Sequence, residues 1–167
     1  MLSKFILITL LSQQASFPFS FWAKTGLSQE IFKAPNGSVS SFWFDVYELG
    51  LDYEFLPSNS VIISNFLNLG SPLSGDSFSN IMGFLVGLKF AYRPTLFVSP
   101  YIRPSLTLNL IDYGFIVYFR HCKFGLNLGI GVVFANHYPV EINYNYIFLN
   151  KKNHSWWNIS IKGGIKW

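Results

Sequence analysis

The chain is poor in charge. Only 12% of its 167 residues are Asp, Glu, Lys or Arg, about half the roughly 25% of an average soluble domain. It has one cysteine, Cys122, which excludes a scaffold stapled by disulfides. It also lacks a long apolar run. Ser, Asn, Gly or a charge breaks every hydrophobic stretch before the roughly 18 residues that a membrane-spanning helix needs. Disorder is excluded from the other side, because it requires low hydrophobicity and high net charge. Here half of the residues are apolar, and 18 Phe, 9 Tyr and 5 Trp make up an aromatic share of 19%. The length fits one domain. A strand-rich chain with an unusually apolar exterior is what these absences leave.

Residues 1–16 read as a secretory leader and 17–167 as the folded domain. Lys4 is the charged start, Phe5 to Leu11 the apolar run, and Ser12 to Ser16 a small, polar cleavage region, the order of a signal peptide. Removal of Lys4 with the leader takes the formal charge from +4 to +3. The basic residues are scattered, with only Lys151 and Lys152 adjacent. A nucleic-acid footprint is clustered, so nucleic acid is not an expected partner.

Period-two alternation is the main signal. Met82, Phe84, Val86, Leu88, Phe90 and Tyr92 alternate with Gly83, Leu85, Gly87, Lys89 and Ala91. Phe124, Leu126, Leu128, Ile130, Val132 and Phe134 alternate with Gly125, Asn127, Gly129, Gly131 and Val133. Similar patterns run from Val140 to Phe148 and from Trp157 to Trp167. Such a period specifies strands. The second face of each is the informative one, since it holds Gly, Ser, Asn and isolated charges. Glycine weakens a strand and packs nothing, so these faces make poor solvent surfaces. They suit the interior of a narrow barrel whose large apolar face meets lipid. Trp22, Trp43, Tyr53, Tyr92, Trp156 and Trp167 are candidates for the interfacial girdles.

The expected fold is all-β, an eight-stranded antiparallel up-and-down transmembrane β-barrel. Its strands are expected near 20–32, 41–55, 59–69, 80–92, 96–109, 123–135, 140–150 and 156–167. The breaks near Pro57, Pro94 and Pro139 would face the periplasm; those near Gly37, Gly75, Asp112 and Asn153 would face outside. A tilted membrane strand uses about 9–11 residues, so a sixteen-stranded pore does not fit the chain. Two places fit badly. Residues 110–122 also resemble a strand; an even strand count makes them a long, partly paired excursion beyond the membrane, with a ten-stranded barrel as the alternative. Asp45 shares parity with Tyr47, Leu49, Leu51 and Tyr53 and would face lipid, unless a bulge or a position above the hydrocarbon intervenes.

The segment Ala23-Lys24-Thr25-Gly26-Leu27-Ser28, the run Phe124-Gly125-Leu126-Asn127-Leu128-Gly129-Ile130-Gly131 and a terminal strand ending in Trp167 resemble small bacterial outer-membrane β-barrels. The eight-stranded PorT-like barrels common in Bacteroidetes are the nearest in pattern. The resemblance spans the mature chain and is not a catalytic signature. It implies a bacterial outer-membrane location, lipid around the barrel and delivery by the barrel assembly machinery. Trp167, with Ile165 two residues before it, matches the terminal assembly signal of such barrels. Lys162 stands where they usually carry glycine, so that match is partial.

Parity also sketches a lumen. Lys24 and Glu30 share a face, as do Glu48, Asp52 and Glu54. Lys89, Arg103, Glu141, Lys162 and Lys166 lie on the polar faces of later strands. Five acids with five bases suggest a paired network that plugs the barrel, since unpaired buried charge is costly and eight strands leave an interior that side chains can fill. A polar path for a small solute is the alternative. Catalysis, a cofactor and a metal are not expected. His154-Ser155 are adjacent, so on a strand they point to opposite faces. His121 and Cys122 lack the partners of a zinc site, and His137 beside Pro139 reads as turn chemistry. The expected molecule is a monomer with a structural or surface-binding role, a surface partner of unknown kind being one alternative. A narrow channel, a lipid-modifying enzyme and a soluble ligand-binding barrel are the others.

Overall fold

Eight strands form and close on themselves. In the computed structural model, residues 18–70, 79–92, 97–112, 121–149 and 153–167 are described; the proposed leader lies outside them. The strands are β1 (Phe19–Ala34), β2 (Gly37–Leu56), β3 (Asn59–Gly70), β4 (Ser79–Ala91), β5 (Val98–Asp112), β6 (His121–Phe134), β7 (Tyr138–Ile147) and β8 (Ser155–Lys166). Each pairs antiparallel with its sequence neighbour, and β8 pairs with β1 to complete the barrel. Closure removes the unpaired edges that an open sheet would present, and a membrane interior tolerates only closed sheets or helices. The ten-stranded alternative is excluded by this topology.

The inside-out assignment holds along the strands. Phe84, Val86, Leu88, Leu106, Phe124, Ile130, Ile142 and Ile161 are all exposed. The interleaved positions are buried and largely polar, including Arg103, Asn109, Glu141, Asn143 and Ser160. A soluble barrel would reverse the two faces, so the ligand-binding alternative fails on this observation.

Glycine makes the interior fit. Trp22, Trp43, Phe66 and Tyr101 each stand directly opposite a glycine on the next strand: Gly50, Gly70, Gly83 and Gly131. A Cβ on Gly50 would lie 2.2 Å from the Trp22 ring, and one on Gly131 would lie 2.6 Å from the Tyr101 ring. Each inward ring thus lies over a neighbour that has no side chain. Three tryptophans expected in the girdles belong here instead. Trp22, Trp43 and Trp156 are buried in the lumen, whereas Tyr53, Tyr92 and Trp167 are exposed outside.

Asp45 is resolved by a bulge. Between Asp45 and Tyr47, β2 carries one residue more than either neighbour, so Lys24 pairs with Glu48 but Gly26 pairs with Asp45. The extra residue is Val46, which is exposed. It reverses the parity of the strand and turns Asp45 inward, where it is buried. The Thr25 hydroxyl donates to the Asp45 carbonyl at 2.8 Å, satisfying backbone left over at the irregularity.

Several boundaries differ from expectation. Strand β2 starts at Gly37, because the Pro35-Asn36 turn is only two residues long and the hairpin ladder begins at Ala34–Gly37. Residues 110–122 are partly paired, as expected. Leu110 pairs with Cys122 and Ile111 with His121, so both ends of that segment extend the barrel wall, and 113–120 lie outside the described residues.

Candidate functional site

Among the described residues the lumen is where the fold concentrates polar chemistry, and it is layered along the barrel axis. Near the end that carries the turns at 57–58 and 135–137, Asp52 accepts from Trp22 Nε1 at 2.7 Å. It also pairs with Lys89 and lies 4.0 Å from Lys166. Next comes the main cluster. Arg103 donates to Glu48 at 2.8 Å and to Asn143 at 2.9 Å, and it also binds Glu141. Lys24 donates to Glu141 at 3.0 Å, with its ammonium 4.1 Å from the Trp22 ring centroid. The Tyr101 hydroxyl donates to Glu141 at 2.6 Å. Lys162 donates to Glu48 at 3.0 Å and lies 3.6 Å from Asp45.

Neutral groups form the next layer. Thr107 donates to Asn145 at 3.3 Å and Asn109 to Thr107 at 3.0 Å. Glu30, fully buried, is held by Trp156 Nε1 and Asn158 Nδ2, both at 2.6 Å. The far end is closed by an apolar cluster of Trp43, Phe66, Ile81, Ile111, Ile147 and Trp156, with Phe32 and Leu149 packed on it.

The formal charge balance of this site is zero. Glu30, Asp45, Glu48, Asp52 and Glu141 supply five negative charges, and Lys24, Lys89, Arg103, Lys162 and Lys166 supply five positive. Asp45 was not among the lumen residues expected from parity. Its signal was the misfit itself, a carboxylate on an apolar face. Glu54 sits at the β2–β3 turn, half-buried, and accepts from the Ser58 backbone N–H at 3.1 Å. Glycine admits the central cation, since a Cβ at Gly129 would lie 3.1 Å from Arg103 Nε and 2.9 Å from the Glu141 carboxyl.

Little space is left. Among the described residues, voids of about 10 Å³ lie beside Lys24, Asp52 and Arg103 and beside Glu48, Asn127 and Asn145. A cavity needs about 10–15 Å³ to hold a single water.

The remaining candidate groups lie apart. His137 is exposed, and its Nδ1 lies 3.1 Å from the Lys166 carbonyl. The His154 ring packs 6.0 Å from Phe32. Cys122 is exposed. Among the described residues no group of three or more His, Cys, Asp or Glu side chains could hold a metal. Ile165 and Trp167 are exposed on the outer face, and the Trp167 backbone exchanges hydrogen bonds with Phe21 at 2.8 and 3.2 Å.

Fold and lumen together define a transmembrane β-barrel of the small outer-membrane class. Solved structures agree. The barrel is similar to Neisserial surface protein A, with a TM-score of 0.62 and 17% identity over 88% of this chain and 97% of that one. It is similar to the outer membrane enzyme PagL, with a TM-score of 0.59 and 15% identity over 87% and 98%. It is also similar to Ail, the attachment invasion locus protein of Yersinia pestis, with a TM-score of 0.52 and 15% identity over 89% and 98%. At these identities the likeness is one of fold. No family model and no curated protein matches the chain. One of these barrels is an enzyme, so catalysis is decided by side chains and not by the fold.

Proposed function

We propose that this protein is an integral bacterial outer-membrane barrel with a plugged lumen, acting as a structural element or presenting its surface to a partner, without conducting solutes or carrying out catalysis. The observation that carries this reading is the packed interior: ten charges balance across it, an apolar cluster closes one end, and the voids hold at most about one water each. Its partners are membrane lipid and, during biogenesis, the barrel assembly machinery, for which Ile165 and Trp167 are the recognition candidates. The Ala23–Ser28 stretch of β1 and the Gly-alternating run of β6 support placing it with the PorT-like barrels in particular. Loops on a rigid scaffold are the usual place for binding, so the segments between strands are where a surface partner would dock.

Conductance tests this reading. Protein inserted into planar bilayers is expected to give no discrete current steps. Stepwise, voltage-stable currents from protein purified free of porins would overturn the plug and establish the channel alternative.

A further inference from the structure

The outer face of β5, β6 and β7 is not smooth. Pro100, Val132 and Val140 stand in one row, in register across the three strands. The row continues to Gly163 on β8, where an added Cβ would meet nothing within 4 Å. A row of Ile102, Ile130, Ile142 and Ile161 runs along one side, and Val98, Phe134 and Tyr138 along the other. Phe90 on β4 and Tyr92 just after it wall off one end. Short side chains between tall ones leave a groove of about 650 Å³, with backbone at Tyr101, Gly131 and Glu141 in its floor. That volume lies within the roughly 300–1,000 Å³ of small-molecule sites.

We propose that this groove holds one acyl chain of a glycerophospholipid, as a specific lipid site on the barrel wall. The inference rests on the barrel spanning a membrane. The groove is continuous with the exposed apolar belt, so hydrocarbon is what surrounds it. Its position selects the leaflet. Tyr92, Phe134 and Tyr138 mark the interface at the end that carries the 135–137 turn and Trp167, the end that the turn pattern of the sequence assigns to the periplasm. Aromatic residues of this kind settle at headgroup level. A second copy of the chain fits less well. Tyr92 is 71% exposed and Phe134 45%, so both project and hold a flat sheet away from the floor, whereas a single flexible chain can lie between them.

Native mass spectrometry tests the site, on barrels released from bilayers containing palmitoyl-oleoyl phosphatidylethanolamine. The expected result is one retained lipid per barrel. Retention should fall about tenfold, or about 1.4 kcal/mol, in the double variant Val132→Phe, Val140→Phe, which fills the groove. It should persist in Ile63→Phe, an exposed position on β3. An inserted barrel that retains no lipid, or equal retention in the filled variant, would overturn the proposal and leave the membrane reading intact. A dimer mass in place of the lipid adduct would assign the groove to a second copy. Protein that never inserts would overturn both readings. A diazirine-bearing acyl chain gives a measurement independent of the variants. Crosslinks concentrated on 130–134 and 138–142 are expected, and an even spread around the belt would count against a site.

Discussion

Arg103 holds the lumen together. Its guanidinium binds Glu48, Glu141 and Asn143, joining carboxylates from β2 and β7, and it is buried. Its planar fork of donors suits such a role better than a lysine ammonium. Arg103→Met leaves Glu48 and Glu141 short of their main cation in a low-dielectric interior. Removing one partner of a buried pair costs about 3–5 kcal/mol. The urea midpoint of Arg103→Met barrels in vesicles is therefore expected to fall accordingly; an unchanged midpoint would show that the lysines suffice. Most of these charges could be assigned to the lumen from parity alone, because alternation is a local property of a strand. Asp45 could not be. One extra residue, Val46, flips the parity; the misfit of Asp45 signalled an irregularity without showing which residue is the extra one. The inward tryptophans were obscured for a related reason. Trp is read as interfacial by chemistry, yet Trp156 shares the parity of Asn158, and the parity decides.

At the scale of the elements, two seams differ from the rest. Where β8 meets β1 the backbones approach closely. A Cβ on Gly164 would lie 1.9 Å from the Ala23 carbonyl oxygen, and one on Gly26 would lie 2.0 Å from that of Ile161. Backbone cannot swing aside as a side chain can. Gly164→Ala is expected to reduce the fraction of folded, heat-modifiable band on cold gels, while Gly163→Ala, which meets open space, should leave that fraction unchanged. The other seam is β4–β5. Its ladder is interrupted at Leu88 and Lys89, opposite Pro104 and Arg103, and resumes at Phe90–Ile102 in the same register. Proline has no N–H to donate and is seldom tolerated in a strand paired on both sides. Pro104→Val supplies the missing donor, and a net hydrogen bond is worth about 0.5–1.5 kcal/mol. That variant should unfold at higher urea and slow amide exchange around residue 88. No such gain would mean that the neighbouring pairs already carry the seam. The proline was visible in the sequence. Which neighbour its missing donor faces depends on pairing, and so it was not.

Across the whole molecule, the two faces make a strong test. Leu128 is exposed on the lipid side and Asn127 is buried inside. An arginine at the midplane of a barrel's lipid face costs about 2–4 kcal/mol. Leu128→Arg should therefore impair insertion into vesicles, with loss of the heat-modifiable band. Asn127→Arg should act by crowding and charge imbalance in a lumen that is otherwise neutral. Normal insertion of Leu128→Arg would show that this face does not meet hydrocarbon.

The strand content and the exchange of inside for outside follow from the sequence by itself, whereas the choice of eight strands over ten was settled by the closed pairing. A period of two and the polarity of each face are written residue by residue, and turn residues separate the runs. The tertiary structure decided what depends on neighbours distant in the chain. It set which aromatic ring lies over which glycine, where one inserted residue reverses a strand, and which lysine reaches which carboxylate. It also decided how little space the described side chains leave in the lumen, because the free volume of an interior is a property of side chains from all eight strands at once.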